Sequence, residues 1–414
     1  MLLCVLMLSL TLGGCADRPK SDVAIAKSSS KSSSTAQVDS ESVNPQLVKA
    51  NTQFGFKLFS QIYQQQSDRN LFISPTSVAL ALSMTYNGAG GETQQAMART
   101  LELDSLSLEE INQANLALKS TLESLDDTVQ LTIANSLWTQ SGADFNAEFI
   151  QSARRFYQSE VAELDFSNPS ASGTVNTWVD RQTNGKISQI VDRLSSETKL
   201  LLVNAIYFKG KWSQPFSTNS TQNLPFTLLD GSQKQRPLMS QAGEYRYLNN
   251  DIFQAVSVPY GDGNISLYVF LPKKEVGLSG LIDRLNAETW NRWIGEFTWQ
   301  PGSIKLPRFQ LEYEITLNDT LKALGMDIAF DENRSDFSGI QTPPPNLAIN
   351  QVKHKTFVEV NEEGTEAAAS TSVGIVATSV PSAPFEMAID RPFFCAIRDE
   401  KTGTILFLGS IVDP

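Results

Sequence analysis

The sequence has a single histidine, His354, among its 414 residues, and it has only three cysteines. A Ser-His-Asp or Cys-His hydrolase would therefore have to use His354 as its general base. Two cysteines, Cys4 and Cys15, lie near the start of the chain, so Cys395 has no partner for a disulfide within the remainder. No cluster of Cys or His indicates a metal site, and no glycine-rich phosphate loop follows a strand. These absences make an enzyme a weak interpretation and predict neither a metal nor a cofactor.

Positive charge is also scarce. The formal net charge is −12 and the pI is near 4.8, and no basic stripe runs along any segment. Because nucleic-acid binding requires a basic surface, we expect no nucleic-acid partner.

The start of the chain is short and apolar. Met1 to Gly14 is rich in leucine, and an apolar run of about 10–12 residues fits the core of a signal peptide better than a membrane span. The tetrapeptide Leu12-Gly13-Gly14-Cys15 resembles the bacterial lipobox, which implies cleavage before Cys15 and lipidation of this cysteine. No Lys or Arg precedes the run, so an ordinary signal peptide, or a start upstream of Met1, stays open. We expect export, either as a lipoprotein on the periplasmic or cell-surface side of a membrane or as a secreted protein.

A polar segment separates this leader, residues 1–15, from the rest. Residues 16–44 contain nine serines and no aromatic residue, a composition that cannot bury enough surface to order itself. This segment is predicted to be a tether. Residues 45–414 show neither an internal repeat nor a second linker, and they are predicted to form one domain.

Within that domain the hydrophobic pattern predicts both helices and strands. Val48 to Ile62 and Val175 to Gln182 have helical spacing, whereas Val129 to Trp138 alternates like a strand. Lys199 to Phe208 is continuously apolar, which predicts a central strand covered on both faces.

The most unusual stretch runs from Glu362 to Arg391. Alternate positions from Thr365 to Ala377 are small or β-branched, and none of them is charged. This period of two would let the segment join a sheet and bury one face. The small residues and prolines are equally typical of an exposed loop. A buried central strand and a Ser/Ala linker therefore remain alternatives on composition alone.

Motifs around this stretch resemble those of one family, the serpins. The segment Phe357 to Ala368 resembles the serpin hinge signature. Further matches lie along nearly the whole domain: Asn70-Leu71-Phe72-Ile73-Ser74-Pro75-Thr76-Ser77, Gly88-Ala89-Gly90-Gly91-Glu92-Thr93, Asn204-Ala205-Ile206-Tyr207-Phe208-Lys209-Gly210-Lys211-Trp212, Asp390-Arg391-Pro392-Phe393-Phe394 and Gly409-Ser410-Ile411-Val412-Asp413-Pro414.

The resemblance implies an α+β fold, with about nine helices packed around three β-sheets and an exposed reactive loop. It implies a monomer without a cofactor whose partners are serine proteases, and a membrane contact only through an N-terminal lipid. It also assigns three groups of residues. The shutter cluster comprises Ser74, Ser77, Asn204 and His354; the breach cluster comprises Trp212, Arg308 and Glu362, with Arg308 expected to pair with Glu362; the hinge comprises Gly364, Thr365, Glu366, Ala367, Ala368 and Ala369.

The mechanism that the resemblance implies is suicide inhibition, in which the cleaved loop inserts into the main sheet while the protease is still bound as an acyl-enzyme. The usual interval from Glu362 puts the reactive bond between Thr378 and Ser379, with Ala377-Thr378 and Val376-Ala377 as alternatives. No Lys or Arg lies between Glu366 and Arg391, so we do not expect a trypsin-like target. The small aliphatic residues favour an elastase-like or subtilisin-like protease.

Two rival functions stay open. The first is a non-inhibitory, surface-anchored serpin that acts as a binding or chaperone-like protein. The second is an enzyme that uses His354, the weakest of the three interpretations.

Overall fold

A computed structural model describes residues 43–124, 127–142, 144–344, 346–365 and 384–414. These ranges contain nine α-helices and fifteen β-strands. The helices are α1 (Pro45–Gln66), α2 (Pro75–Tyr86), α3 (Gly91–Thr100), α4 (Leu108–Glu123), α5 (Ala147–Tyr157), α6 (Ala171–Gln182), α7 (Gly277–Ile282), α8 (Ala287–Glu296) and α9 (Asn318–Leu321). The strands are β1 (Leu71–Ile73), β2 (Val129–Gln140), β3 (Glu160–Leu164), β4 (Leu200–Lys211), β5 (Gln222–Thr227), β6 (Gln233–Asn249), β7 (Phe253–Tyr260), β8 (Ile265–Pro272), β9 (Thr298–Pro307), β10 (Phe309–Thr316), β11 (Gln351–Asn361), β12 (Gly364–Thr365), β13 (Phe385–Ala388), β14 (Phe393–Asp399) and β15 (Ile405–Ile411).

The predicted periodic segments appear as predicted. The helical pattern from Val48 to Ile62 lies within α1, which begins at Pro45 and is capped by the side chain of Asn44. The pattern from Val175 to Gln182 lies within α6, and the alternating segment Val129 to Trp138 lies within β2.

Six strands form the central sheet, in the order β10-β11-β12-β4-β2-β3. The middle strand β4 is the predicted apolar run, and its residues from Leu200 to Phe208 are buried. Successive side chains of a strand point to opposite faces, and those of β4 belong to two separate apolar clusters. Leu202 and Ile206 lie in the main core, whereas Leu201 and Val203 pack in a second cluster with Trp178 of α6. The prediction of a strand covered on both faces is confirmed.

The helix α2 lies against the inner face of β4 and against β15. All of its residues are buried, so it shows no polar face. Its first turn is fixed by Pro75 and by the Ser74 hydroxyl, which accepts a hydrogen bond from the backbone N–H of Ser77 at 3.3 Å.

The other strands pair into a nine-stranded array in the order β1-β15-β14-β8-β7-β6-β9-β13, with β5 attached to β6. The long strand β6 pairs with β5 through its first part and with β7 through its last part. Two of the three expected sheets are therefore hydrogen-bonded into one array through β6. The array buries Cys395 completely, as the sequence predicted for a small apolar side chain.

The predicted leader, the lipidation residue Cys15 and all but the last two residues of the predicted tether lie outside the described residues. Among the described helices, none combines the length and the apolar character that crossing a membrane requires.

Candidate functional site

At one end of the central sheet, β11 reverses into β12 through the two-residue turn Glu362-Glu363. Thr365 pairs with Val360 on β11, and on its other side it pairs with Gly210 on β4. Farther along, β11 and β4 pair directly and in parallel, from Gln351 to Phe357 on β11. The short strand β12 is therefore inserted between the ends of two strands that pair directly with each other up to Phe357.

Gly364 is required by this close approach. Its φ is +146°, in the region that favours glycine. A Cβ atom at this position would lie 2.0 Å from the carbonyl oxygen of Gly210 and 2.6 Å from the Cα of Lys211. No side chain fits there without moving β12 away from β4.

Thr365 is held from beneath by an aromatic pair. Its side chain is completely buried, and its hydroxyl lies 2.9 Å from the hydroxyl of Tyr260 at the end of β7. The ring of Tyr260 stacks on Trp212 at a centroid distance of 4.3 Å and an interplanar angle of 13°. The Trp212 indole donates a hydrogen bond of 2.8 Å to the carbonyl oxygen of Asn361, so it supports the last residue of β11.

Glu362, in the turn between β11 and β12, carries a paired charge. Nε of Arg308 donates to Oε1 of Glu362 at 2.7 Å, and the Thr221 hydroxyl donates to the same oxygen. The expected Arg308–Glu362 pair is therefore present. Burial by itself raises the pKa of this carboxyl, but the hydrogen bonds from Arg308 and Thr221 outweigh it and the pKa is lowered. Glu362 therefore anchors the turn in its ionised, carboxylate form.

Near the middle of the sheet, three polar side chains stand in one row across three adjacent strands. Asn135 on β2 is in register with Asn204 on β4, and Asn204 is in register with His354 on β11. Nδ2 of Asn204 donates a hydrogen bond to Oδ1 of Asn135. It also donates one of 2.5 Å to the hydroxyl of Ser77, which lies on α2. All four side chains are buried.

His354 connects this row to the N-terminus of α2. Its Nδ1 lies 2.5 Å from Oδ1 of Asn204, and its Nε2 accepts a hydrogen bond of 3.0 Å from the backbone N–H of Ser74. Because Nε2 accepts, Nδ1 carries the only ring proton and donates to Asn204. Burial lowers the pKa of His354 to about 3. The imidazole is neutral, and it bridges the two strands that pair directly below β12.

The structure thus brings together the four predicted shutter residues and, separately, the three predicted breach residues. Of the predicted hinge, Gly364 and Thr365 are described and lie within the sheet. The other four hinge positions, Glu366, Ala367, Ala368 and Ala369, and the predicted reactive bond between Thr378 and Ser379 lie outside the described residues.

Three hydrogen-bond partners of the site residues were not predicted from the sequence. Asn135 completes the row across the sheet, Tyr260 contacts Thr365, and Thr221 contacts Glu362. The signal for Asn135 was available, since it is an amide side chain within the apolar alternation of β2. Tyr260 and Thr221 are distant in sequence from their partners and gave no signal.

Within the ranges that the structure describes, no group of three or more His, Cys, Asp and Glu side chains could hold a metal ion. His354 has both ring nitrogens engaged with protein atoms. In this arrangement it has no ring nitrogen free to take a proton from a nucleophile.

Comparison with known proteins agrees with this geometry. A protein-family model described as "Serpin (serine protease inhibitor)" matches residues 49–414. Leukocyte elastase inhibitor A of Mus musculus is 34% identical over 381 residues, which cover 89% of this chain and 100% of that protein.

Solved structures extend the comparison to the fold. The native state of the thermophilic serpin tengpin superposes with a TM-score of 0.84 at 30% identity, covering 90% of this chain and 95% of that one. A complex of thyroxine-binding globulin with thyroxine superposes with a TM-score of 0.81 at 29% identity, covering 89% and 99%.

Proposed function

The chain belongs to the serpin family, and from that premise we propose that it is a suicide-substrate inhibitor of serine endopeptidases with elastase-like or subtilisin-like specificity. Serpins are mostly protease inhibitors and not catalysts. The observation that carries the proposal is β12, where the first residues after the turn already occupy the gap between β11 and β4.

In the proposed reaction, the catalytic serine of the protease attacks the carbonyl carbon of Thr378. The peptide bond to Ser379 breaks, the nitrogen of Ser379 leaves as a new amino group, and an acyl ester joins Thr378 to the protease. The residues before Thr378 then insert between β11 and β4 and carry the ester and the attached protease along the sheet before water hydrolyses the ester.

The register of β12 supports a specific path for this insertion. Thr365 pairs with Gly210 and Val360, so each further residue would lie one position lower on both neighbours. If this register continued, Thr371, which is six residues after Thr365, would lie between Asn204 and His354. Because successive side chains of a strand alternate between faces, the small and β-branched residues at alternate positions from Thr365 would share the inner face with Thr365. Glu366 would lie on the outer face.

The path also suggests a role for the shutter cluster. An inserted strand must break the direct pairing of β11 with β4, and with it the hydrogen bond between His354 and Asn204. A hydroxyl at Thr371 can donate to and accept from these two side chains. We propose that the shutter residues give up hydrogen bonds to one another and form new ones to the inserted strand. The breach residues hold the turn from which insertion starts.

The specificity follows from the side chains near the proposed bond. From Ala367 to Ile389 the chain carries one charged residue, Glu386, and no Lys or Arg. Small and β-branched side chains fit a shallow specificity pocket. The alternative bonds Ala377-Thr378 and Val376-Ala377 would present the same kind of residue.

Incubation with pancreatic elastase, followed by denaturing electrophoresis and mass spectrometry, tests the proposal. We expect a covalent complex of higher mass and a released C-terminal peptide that begins at Ser379. Cleavage of the loop without a covalent complex, by elastase and by subtilisin alike, would contradict it.

The second candidate is a non-inhibitory serpin that binds a ligand or a partner on the cell surface. One observation favours it, namely the similarity to thyroxine-binding globulin in complex with thyroxine. Thermal unfolding of the loop-cleaved protein separates the two. A large gain in stability on cleavage supports insertion, whereas no gain supports the binding function.

The leader motivates a further part of the proposal, which concerns location. We propose a bacterial protein that is exported and lipidated at Cys15, and that a serine-rich tether holds the monomeric domain away from the membrane surface. Labelling with a radioactive fatty acid should mark the wild-type protein and not Cys15→Ser. Equal labelling of both would contradict lipidation at Cys15.

A further inference from the structure

Trp299 is the most exposed large apolar side chain within the described residues, at 67%. It lies at the start of β9, where it is in register with Arg246 of β6. Most exposed apolar residues stand alone and need no explanation. The position of Trp299 relative to the reactive loop sets it apart.

The chain that follows the loop enters the sheet beside β9. Phe385, the first residue of β13, pairs in parallel with Gly302, three residues after Trp299. Because a strand rises about 3.3 Å per residue, Trp299 lies about 10 Å from this point. The parallel direction means that Trp299 is on the side from which the loop arrives.

The point where the loop joins the sheet is rigidly fixed. The ring of Phe385 stacks on Tyr247 at a centroid distance of 3.9 Å and an interplanar angle of 6°. It covers Gly302 so closely that a Cβ atom there would lie 2.2 Å from the ring. The far end of the loop is thus tied to β6 and β9, and Trp299 is on the opposite, solvent-facing side of β9.

A protease that holds the proposed bond is within reach of this region. Ser379 is six residues before Phe385, so the bond lies at most about 20 Å from Phe385 even when the chain is fully extended. A protease domain of about 200 residues has a radius of gyration of about 16 Å. Its rim can therefore reach the start of β9.

The surroundings of Trp299 define the partner surface. Glu244 is in register with the neighbouring Pro301, and Glu386 is in register with Ser303, so both acidic residues share the outer face of the sheet with Trp299. Both are exposed. Arg246, in register with Trp299, and Lys305, in register with Ala388, lie on this face as well. Charges of both signs therefore surround Trp299, and its exposed ring is the apolar anchor of the surface.

We propose that the outer face around Trp299, Pro301, Glu244 and Glu386 is a second contact surface for the protease that attacks the loop. This inference rests on the proposed function. Trp299 fills an apolar depression at the rim of the protease active site, and the charged side chains around it form the polar edge of the contact. The surface strengthens the initial complex, and the loop sequence alone sets the cleavage chemistry. Exposed tryptophans are prominent among the residues that dominate protein–protein affinity.

The test uses elastase whose catalytic serine is replaced by alanine, so that it binds the loop without cutting it. We expect Trp299→Ala to weaken binding of the full-length protein about tenfold, an effect typical of an interface aromatic, and Trp299→Phe to weaken it less. The matched control is Leu229→Ala. Leu229 is 51% exposed and lies near the opposite end of β13, beyond Thr227, whose N–H donates to the carbonyl oxygen of Asp390. This variant should bind within about twofold of the wild type.

Equal binding of the wild type and Trp299→Ala would overturn the proposed surface and leave the inhibitory function intact. Failure of the wild type to bind inactive elastase at all would count against the inhibitory function itself. If sedimentation shows that the wild type forms a dimer and Trp299→Ala does not, the occupant is a second copy of this chain, and the proposal is wrong.

Discussion

Thr365 and Tyr260 share a buried hydrogen bond, with their hydroxyl oxygens 2.9 Å apart and neither side chain exposed. The bond ties Thr365, which lies in the gap between β11 and β4, to the end of β7. A buried hydroxyl that loses its partner costs about 1–3 kcal/mol. The site therefore selects a small polar residue at position 365, and it holds that residue in an inserted position before any protease acts.

If the protein inhibits proteases by the proposed mechanism, replacement of Thr365 by arginine should convert it into a substrate. A guanidinium cannot enter this buried site without losing its hydration, so insertion would stop at its first residue. We expect elastase to cut the loop at a similar rate while the covalent complex disappears from denaturing gels. Thr365→Ser, which keeps the hydroxyl, is the control and should form the complex. Persistence of the complex in the arginine variant would contradict the mechanism.

His354 should make the folded domain sensitive to mild acid. Burial lowers its pKa to about 3 from the ordinary 6.5, so below pH 6.5 the unfolded chain binds a proton that the folded protein excludes. The stability that comes from the neutral imidazole is fully present above pH 6.5 and is lost as the pH falls towards 3. We expect a loss of about 2 kcal/mol between pH 7 and pH 5, measured by urea unfolding.

The control for this titration is His354→Asn, which removes the ionisable group and keeps a side chain that can donate a hydrogen bond. This variant should be less stable than the wild type at pH 7 but should lose less stability between pH 7 and pH 5. A wild-type stability that does not change over this interval would show that His354 titrates normally in the folded protein.

Arg308→Ala should destabilise the turn between β11 and β12 by leaving the Glu362 carboxylate buried with only Thr221 as its side-chain partner. Loss of one partner of a fully buried pair costs about 3–5 kcal/mol. Arg308 is 41% exposed on its side chain whereas Glu362 is only 5% exposed, so solvent screening reduces the expected cost to about 1–2 kcal/mol. The pKa of Glu362 should rise in this variant.

The contribution of the Arg308–Glu362 pair to stability should also depend on pH. Because the folded protein lowers the pKa of Glu362 below 4.5, the stability from the carboxylate is present above pH 4.5 and is lost as the pH falls below it. The penalty of Arg308→Ala should therefore shrink below pH 4.5. In a double-mutant cycle with Glu362→Gln, additive effects of the two substitutions would mean that the pair contributes nothing.

Gly364→Ala should expel β12 from the sheet, because its Cβ would overlap the carbonyl oxygen of Gly210. We expect the Thr365 amide to lose most of its protection against hydrogen exchange. Gly231→Ala is the matched control, since Gly231 also has a positive φ of +83° but has no atom within 4 Å of the added Cβ. Both variants carry backbone strain of about 1 kcal/mol. Unchanged protection of Thr365 in Gly364→Ala would show that β12 tolerates a side chain.

Local periodicity was enough to predict the elements whose burial is regular. The apolar run of β4 indicated two covered faces, because a strand with one face in solvent alternates apolar and polar residues, and this one does not. The family motifs further predicted that His354 would lie with Ser74, Ser77 and Asn204. Each of these predictions depends on residues that are close in sequence or on a pattern that the family shares.

The insertion of β12 could not be predicted in the same way. The alternation from Thr365 onward is compatible with a loop and with a strand, and local sequence does not decide between them. The decision comes from Gly210, which has no side chain to block the approach of Gly364, and from Tyr260, whose hydroxyl meets Thr365. Both lie more than a hundred residues away in sequence, so only the folded arrangement shows the match.

The two-residue strand β12 also has a kinetic consequence. Starting a new strand inside a closed sheet is costly, because several residues must be ordered before the first hydrogen bonds form. Here the turn at Glu362-Glu363 and the first pairs on both sides already exist. In the proposed mechanism, insertion of the cleaved loop would therefore need no nucleation and could proceed by adding one residue at a time to this preformed start. In that mechanism, in which insertion competes with hydrolysis of the acyl ester, the protein would begin with the first strand pairs already formed.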